Sequence, residues 1–220
     1  MECFRSRRAL RNSICLAALF GVTLASGCSM LATAMYFIEG TNTQAAFAGL
    51  KGKKVAVVCR PVSSLHFRDS SVSRDLAKQV GVTLEKHVSK ITIIDQRDVF
   101  EWADENNWEE YVEIGKAVGA DMVVALDLEE FSLYQGQTLY QGKANMKLMV
   151  FDVAAGKQPV FERNLPQALY PPNAAIPSGE KPEPQFRRQF VNHLAQLIAR
   201  YFYDHDSTAD FAGDSTALLN

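Results

Sequence analysis

Residues 115–126 read GKAVGADMVVAL and mark a corner between a helix and a buried strand. Gly119 is the residue type that most often ends a helix, because glycine adopts a left-handed backbone conformation without steric cost. The run from Met122 to Leu126 is continuously apolar and rich in β-branched residues, which is typical of a strand covered on both faces. This stretch therefore predicts a helix that leads into a buried strand.

Two shorter runs of the same kind lie upstream, at residues 55–58 and 91–94. Between them, apolar residues recur at every fourth position over residues 72–88, which is the spacing of an amphipathic helix. Ser70 or Ser71 can cap the start of that helix. Buried strands that alternate with helices indicate an α/β domain with parallel core strands.

The pattern changes downstream, because apolar and polar side chains alternate over residues 144–150. Such alternation is typical of a strand with one covered face. We therefore expect two long antiparallel strands, at about residues 126–134 and 138–153, and a short final strand near residues 160–164.

The proline-rich stretch 170–184 predicts a loop or an extended connector. Pro184 suits the first turn of a last helix, whose apolar face we expect on the sheet. The predicted fold class is α/β (α+β), with a mixed sheet that has parallel core strands, a long antiparallel hairpin and helices packed on it.

Residues 1–27 predict a signal peptide. Four arginines and one acid in the first twelve residues precede an apolar run over residues 14–24. That run is shorter than the roughly 20 residues that a transmembrane helix needs. The sequence LASGC, residues 24–28, resembles the lipobox of bacterial lipoproteins, in which the thiol of the cysteine is acylated and that cysteine becomes the mature N-terminus.

The lipobox resemblance implies that Cys28 carries the lipid and anchors the chain to a membrane of the cell envelope. Ser29 after the cysteine favours the outer membrane, facing the periplasm. Residues 28–52 are then the lipidated N-terminus and a tether, residues 53–204 an α/β domain and residues 205–220 a disordered tail. An ordinary signal peptide cut beside a buried Cys28, or an uncleaved anchor, is the alternative.

Net charge argues against one class of partner, and cysteine content shows how the mature domain is stabilised. Cleavage of the signal takes four arginines and one glutamate from 23 basic and 25 acidic side chains, which leaves a net charge of −5. An acidic chain of this kind argues against nucleic acid as a partner. Cys59 is then the single unmodified cysteine of the mature chain, so the domain has no internal disulfide and depends on its apolar core.

The order of the elements resembles a domain shared by penicillin-binding-protein activator lipoproteins, the curli-secretion lipoprotein and the N-terminal domain of TolB. The residues that carry this resemblance are KVAVV at 54–58, IIDQR at 93–97 and GKAVGAD at 115–121, and the match covers residues 53–165. It implies a periplasmic binding or adaptor domain that acts by contact rather than by chemistry. The pore-forming hairpins of the curli protein have no counterpart in this sequence.

Signals of catalysis are weak. No glycine-rich phosphate loop, nucleophile elbow or Ser-x-x-Lys motif follows a predicted strand, and the four histidines have no second ligand at metal spacing. Cys59 and His66 could form a thiol–imidazole pair, although a small core residue is the simpler interpretation of Cys59. We therefore expect no enzyme activity, no cofactor and no metal.

Two polar regions are the candidate binding sites. The first is the acidic stretch of residues 98–113, which contains two tryptophans and could dock a basic partner or simply be a solvated surface. Its candidate residues are Trp102, Glu105, Trp108, Glu109 and Glu113. The second is the loop before the first helix, where the helix N-terminus could hold an anion. Its candidate residues are Arg60, Ser63, Arg68, Ser70 and Ser71.

The sequence thus predicts a membrane-anchored envelope lipoprotein that binds another envelope protein without catalysis. A small-ligand or hydrolytic domain that uses the loop 60–71 is one alternative, and a structural oligomer subunit is another. The oligomeric state, the identity of the partner and the choice of membrane stay open at this point.

Overall fold

The computed structural model describes residues 42–61 and 70–206. The predicted signal peptide, Cys28, Ser63, His66, Arg68 and the tail from residue 207 lie outside these ranges. Contacts divide the chain into two compact units, and of the described residues only Asn42 and Asp206 belong to the first. Within the described ranges, no helix is long and apolar enough to cross a membrane.

The strands are β1 (Asn42–Thr43), β2 (Lys54–Pro61), β3 (Thr92–Ile93), β4 (Met122–Gln135), β5 (Leu139–Asp152), β6 (Phe161–Asn164), β7 (Ala168–Tyr170), β8 (Ile176–Pro177) and β9 (His205–Asp206). The helices are α1 (Ser70–His87), α2 (Gln96–Glu105), α3 (Tyr111–Ala117) and α4 (Glu183–Ala199), and a 3₁₀ turn spans Arg200–Phe202. β1 and β9 form a two-stranded sheet of their own.

The other seven described strands form one mixed sheet, in which neighbours run β3-β2-β4-β5-β6 and both β7 and β8 pair with β5. β2 is parallel to β3 and to β4, whereas β4 is antiparallel to β5. Val57 lies opposite Val124 in the parallel ladder, and both side chains are fully buried. The predicted fold class is confirmed, with parallel core strands, a long hairpin and helices on the sheet.

Helices cover both faces of the parallel part of this sheet. On one face, Val57 and Val124 share a core cluster with residues of α1 and α4 such as Leu76 and Phe190. On the other face, Val123 belongs to a second cluster with residues of α2 and α3. The continuous apolar runs of β2 and β4 follow from this double cover.

One predicted strand boundary is wrong. We expected a short buried strand that ends at residue 126 and a hairpin strand over residues 126–134, but both are parts of the continuous strand β4. The spacing of apolar residues changes inside β4 because helices cover both faces of its first part and only one face of its second part. Val123 and Ala125 lie in the cluster with α2 and α3, whereas Asp127 is half-buried and Glu129 is exposed.

Two segments expected outside the regular structure contribute to the domain. The stretch 170–184 is more than a loop, because β8 and the end of β7 pair with β5. Within the predicted tether, Leu50 is fully buried and the Phe47 amide donates a 2.9 Å hydrogen bond to the Tyr201 carbonyl. Residues 47–50 therefore belong to the domain rather than to a tether, since their apolar side chains find a place in its core.

Candidate functional site

Arg60 lies near the end of β2, where its guanidinium group packs on two aromatic rings. The guanidinium carbon is 4.2 Å from the centroid of the Trp108 ring and 4.6 Å from that of Tyr111. Its Nη2 also donates a 2.9 Å hydrogen bond to the backbone carbonyl of Glu109. A cation within about 6 Å of an aromatic centroid is attracted by the ring. Arg60 therefore holds the linker between α2 and α3 against β2.

Tyr111 connects this contact to the central strand of the sheet. Its hydroxyl donates a hydrogen bond to the Oδ1 atom of Asp127 on β4. Burial raises the pKa of Tyr111, and the hydrogen bond to Asp127 raises it further. The hydroxyl therefore stays protonated and remains a donor. Arg60, Trp108, Tyr111 and Asp127 together form what we call the Arg60 cluster.

Sequence reasoning missed two members of this cluster, Tyr111 and Asp127. The available signal was Asp127 itself, the first charged residue after the apolar run of β4. The contact of Asp127 with this cluster could not be deduced, because neither strand alone determines the parallel register that places Arg60 opposite Asp127.

Arg60 connects the two predicted binding sites, because it was assigned to the loop 60–71 but contacts Trp108 and Glu109 of the acidic stretch. This residue was expected to serve an anion site with the start of α1, but its guanidinium group contacts the acidic region instead. Helix α1 begins at Ser70, so both serines lie in its first turn. The hydroxyl of Ser71 accepts a 3.4 Å hydrogen bond from Arg187. An anion site in the loop 60–71 stays a prediction, because Ser63 and Arg68 are outside the described residues.

The acidic region, residues 98–113, has an exposed part, which we call the acidic face. It consists of Glu101, Glu105, Glu109 and Glu113, which are all exposed. Two neighbouring acids are neutralised, Asp104 by Arg74 at 2.7 Å and Glu110 by Lys157 at 2.6 Å. In contrast, no side chain of the acidic face forms an ion pair with a residue in the described ranges. Lys157 lies near Glu109 and Glu113, and Arg97 near Glu101, but their ion pairs are with Glu110 and Asp95, so the acidic face is a concentration of charge without direct ion pairs in the described part of the domain.

Trp102 and Trp108 are both half-buried and pack on the apolar cluster under α2 and α3. Trp108 also donates a 3.2 Å hydrogen bond from Nε1 to the backbone carbonyl of Ala103. Each tryptophan therefore supports the acidic region from its inner side and leaves part of its ring at the surface. A half-exposed, fixed aromatic ring next to charge is typical of protein-binding surfaces.

Cys59 packs against the apolar core, and burial together with the charge of Asp127 raises the pKa of its thiol. Such a thiol is protonated at neutral pH and is a poor nucleophile. His66 lies outside the described residues, so a thiol–imidazole pair stays untested. Among the described residues, no group of three or more His, Cys, Asp or Glu side chains is placed to hold a metal ion.

No protein-family model matches this chain, and no curated protein matches it significantly. Its backbone is similar to the PelC dodecamer from Paraburkholderia phytofirmans, with 13% identity and a TM-score of 0.43 over 74% of this chain and 95% of that one. It is also similar to a lipoprotein from Neisseria meningitidis, with 10% identity and a TM-score of 0.41 over 66% and 96% of the two chains.

A minor lipoprotein from Acinetobacter baumannii is a third similar structure, with 15% identity and a TM-score of 0.35 over 68% of this chain and 91% of that one. Bacterial lipoproteins are thus among the proteins with a similar backbone. A likeness at these values does not establish a shared function. The narrower resemblance to the penicillin-binding-protein activator group stays a prediction.

Proposed function

We propose that this chain is a lipid-anchored protein of the bacterial cell envelope that binds a basic protein partner through the acidic face and catalyses no reaction. The observation that carries the proposal is the packing of Arg60 on Trp108 and Tyr111. This packing gives the acidic face a fixed support on the central sheet, and a fixed surface loses less conformational entropy when a partner binds.

The chemistry of the acidic face indicates the class of partner. Four exposed carboxylates without ion pairs in the described ranges favour a surface rich in lysine and arginine. Charges at such a rim act mainly on the rate and the specificity of association, whereas a partly exposed tryptophan adds apolar contact area. Trp102 and Trp108 supply that area beside the carboxylates.

The anchor in this proposal is Cys28, because only its thiol can take the diacylglyceryl group. Metabolic labelling with a fatty acid tests it. We expect label in the parent chain and none in the Cys28→Ser variant. Equal labelling of the two chains would contradict the anchor.

The binding surface is tested by photo-crosslinking in intact cells. A photoreactive residue at Glu105 reports the acidic face, and one at Val82, which is 51% exposed on α1, is the matched control. We expect the Glu105 position to capture a protein that mass spectrometry identifies as having a basic surface. Capture from Val82 of the same protein with equal yield would contradict the proposal, since Val82 lies at the seam of α1 with α4, about two turns along α1 from the Arg74 that contacts Asp104.

A further inference from the structure

The two helices on the other face of the sheet, α1 and α4, form a groove open to solvent along their seam. Two adjoining clefts, which share Gln79, make up this groove. Its basic residues are Lys78, Lys86, Arg187, Arg188 and Arg200, and Asp75 is the one acid that lines it. We call this surface the basic groove. The chain as a whole is acidic, but positive charge is concentrated in the basic groove and negative charge in the acidic face.

Most of the cations in the basic groove are available to an external anion. Lys78, Lys86 and Arg188 are exposed, and none of them forms an ion pair with a residue in the described ranges. Helix α4 contributes no acid after Glu183, its first residue. From Lys78 to Lys86 the positive charges extend about 12 Å along α1, at 1.5 Å per residue. The groove therefore suits an array of anions rather than a single small ion.

The basic groove adjoins the place where the N-terminal chain reaches the domain. Thr43 and Gln44 line a small cleft together with Arg200 and Tyr201, and Arg200 also lines the basic groove. Thirteen residues separate Cys28 from Asn42, a length that spans at most about 50 Å when extended. A lipid on Cys28 would keep the domain within that distance of the membrane.

We propose that the basic groove rests on the anionic phospholipid headgroups of the membrane that holds the anchor, an inference that relies on the lipid-anchored protein proposed above. Each lysine or arginine near an anionic membrane surface attracts it, and the attraction falls within a Debye length. Because α3 packs on the opposite face of the sheet, this orientation turns Glu113, the acid of the acidic face on that helix, away from the membrane. The domain would thus present its carboxylates to a partner at a distance from the repelling lipid charge.

Neither helix alone indicates this surface in the sequence. The polar side of α4 has two arginines, and α1 mixes lysines with acids, so each helix by itself has the pattern of an ordinary solvated face. The basic character arises from the packing of α1 beside α4. The groove is therefore a product of the tertiary fold.

The test uses the full lipoprotein, purified from membranes and reconstituted in vesicles of phosphatidylcholine with or without phosphatidylglycerol. A fluorophore on a cysteine that replaces Val82 reports contact with headgroups that carry a quencher, and a fluorophore on a cysteine that replaces the exposed Glu113 of α3 reports the opposite face. Cys59, which is half-buried, is replaced by Ala in every labelled chain so that it does not compete for the label. We expect quenching at position 82 in anionic vesicles only, lost at high salt, and little quenching at position 113.

Charge reversal at Lys78 and Arg188 to Glu should reduce this quenching at least about tenfold, since two attractive charges become repulsive. The matched control reverses Lys116 and Arg163, which are exposed residues outside the basic groove, and should leave the quenching unchanged. Equal quenching at position 82 in neutral and anionic vesicles would overturn the proposal. So would a Lys78 and Arg188 variant that loses self-association but keeps its quenching, because the groove would then bind a second copy of the chain.

Flotation of the vesicles separates this proposal from the anchor. An anchored protein floats with neutral vesicles, whatever the groove does. Failure to float with neutral vesicles would contradict the anchor, whereas the effect of Lys78 and Arg188 reversal on quenching in anionic vesicles decides the groove in either case.

Discussion

The guanidinium carbon of Arg60 lies 4.2 Å from the centroid of the Trp108 ring, so that the end of a core strand fixes the linker between two surface helices. This contact contributes to the stability of the domain and also supports the candidate binding surface. Its loss should therefore lower both the stability and the binding of a partner.

Arg60→Ala should lower the free energy of unfolding by about 1–3 kcal/mol, because it removes two cation–π contacts and the hydrogen bond to Glu109. Arg60→Lys should lie between the variant and the parent, since lysine keeps the charge but lacks the planar fork. Urea unfolding measures both. Arg163→Ala, at an exposed site, should change the stability by less than about 0.5 kcal/mol. An Arg60→Ala variant as stable as that control would show that the contact contributes nothing.

Val57→Asp should prevent folding, because an unpaired carboxylate would replace a fully buried side chain opposite Val124. Such a burial costs several kcal/mol against a total stability of about 5–15 kcal/mol. Val82→Asp is the matched control, since Val82 is 51% exposed. Circular dichroism and thermal melting measure the outcome. If Val57→Asp melted at the temperature of the parent, the assignment of β2 as a buried core strand would be wrong.

Gly142→Ala should destabilise the domain by about 1–3 kcal/mol, because a β-carbon at this position would lie 2.6 Å from the ring of Phe190. The backbone of β5 and helix α4 approach each other closely there. Gly179→Ala adds the same methyl group where no atom lies within 4 Å, so it should be close to neutral. Chemical denaturation of both variants compares them directly. Equal effects would mean that α4 does not pack on β5 as described.

Asp95 accepts hydrogen bonds from the side chain and the backbone of Arg97, and these bonds lower the pKa of its carboxyl group to about 2. Because the folded pKa is below the unfolded value of about 3.9, the stabilising contribution of Asp95 is complete above that value and is lost as the pH falls through about 2. Asp95→Asn should flatten this part of the stability profile. A carboxyl resonance of Asp95 that titrates near 4 in the folded protein would contradict the assignment.

Much of the sheet could be predicted from the sequence, because buried strands and amphipathic helices leave periodic patterns. The continuous apolar runs around Val57 and Val124 are sufficient by themselves to identify two core strands. The continuity of β4 could not be deduced, since its apolar pattern changes where the helix layer ends rather than where the strand ends.

The candidate site was predicted only in parts. Trp108 and Glu109 could be named because charge and aromatic residues cluster there in the sequence, and Arg60 could be named as a cation in a loop. Their contact depends on how α3 docks on β2, and that docking is a property of the packed domain. The basic groove was missed for the same reason, since Lys78 and Arg188 lie on different helices.

The most direct test of the proposed function is partner capture by a chain with a reversed acidic face. Glu105, Glu109 and Glu113 are replaced by Lys, and the control replaces Glu85, Glu129 and Glu180, which are also exposed. Capture in intact cells, followed by retention of the complex at increasing salt, is measured for the parent and both variants. We predict that the acidic-face variant loses capture about tenfold or more, that the control keeps it, and that salt weakens the parent complex. Full capture by the acidic-face variant, with salt-independent retention, would contradict the account.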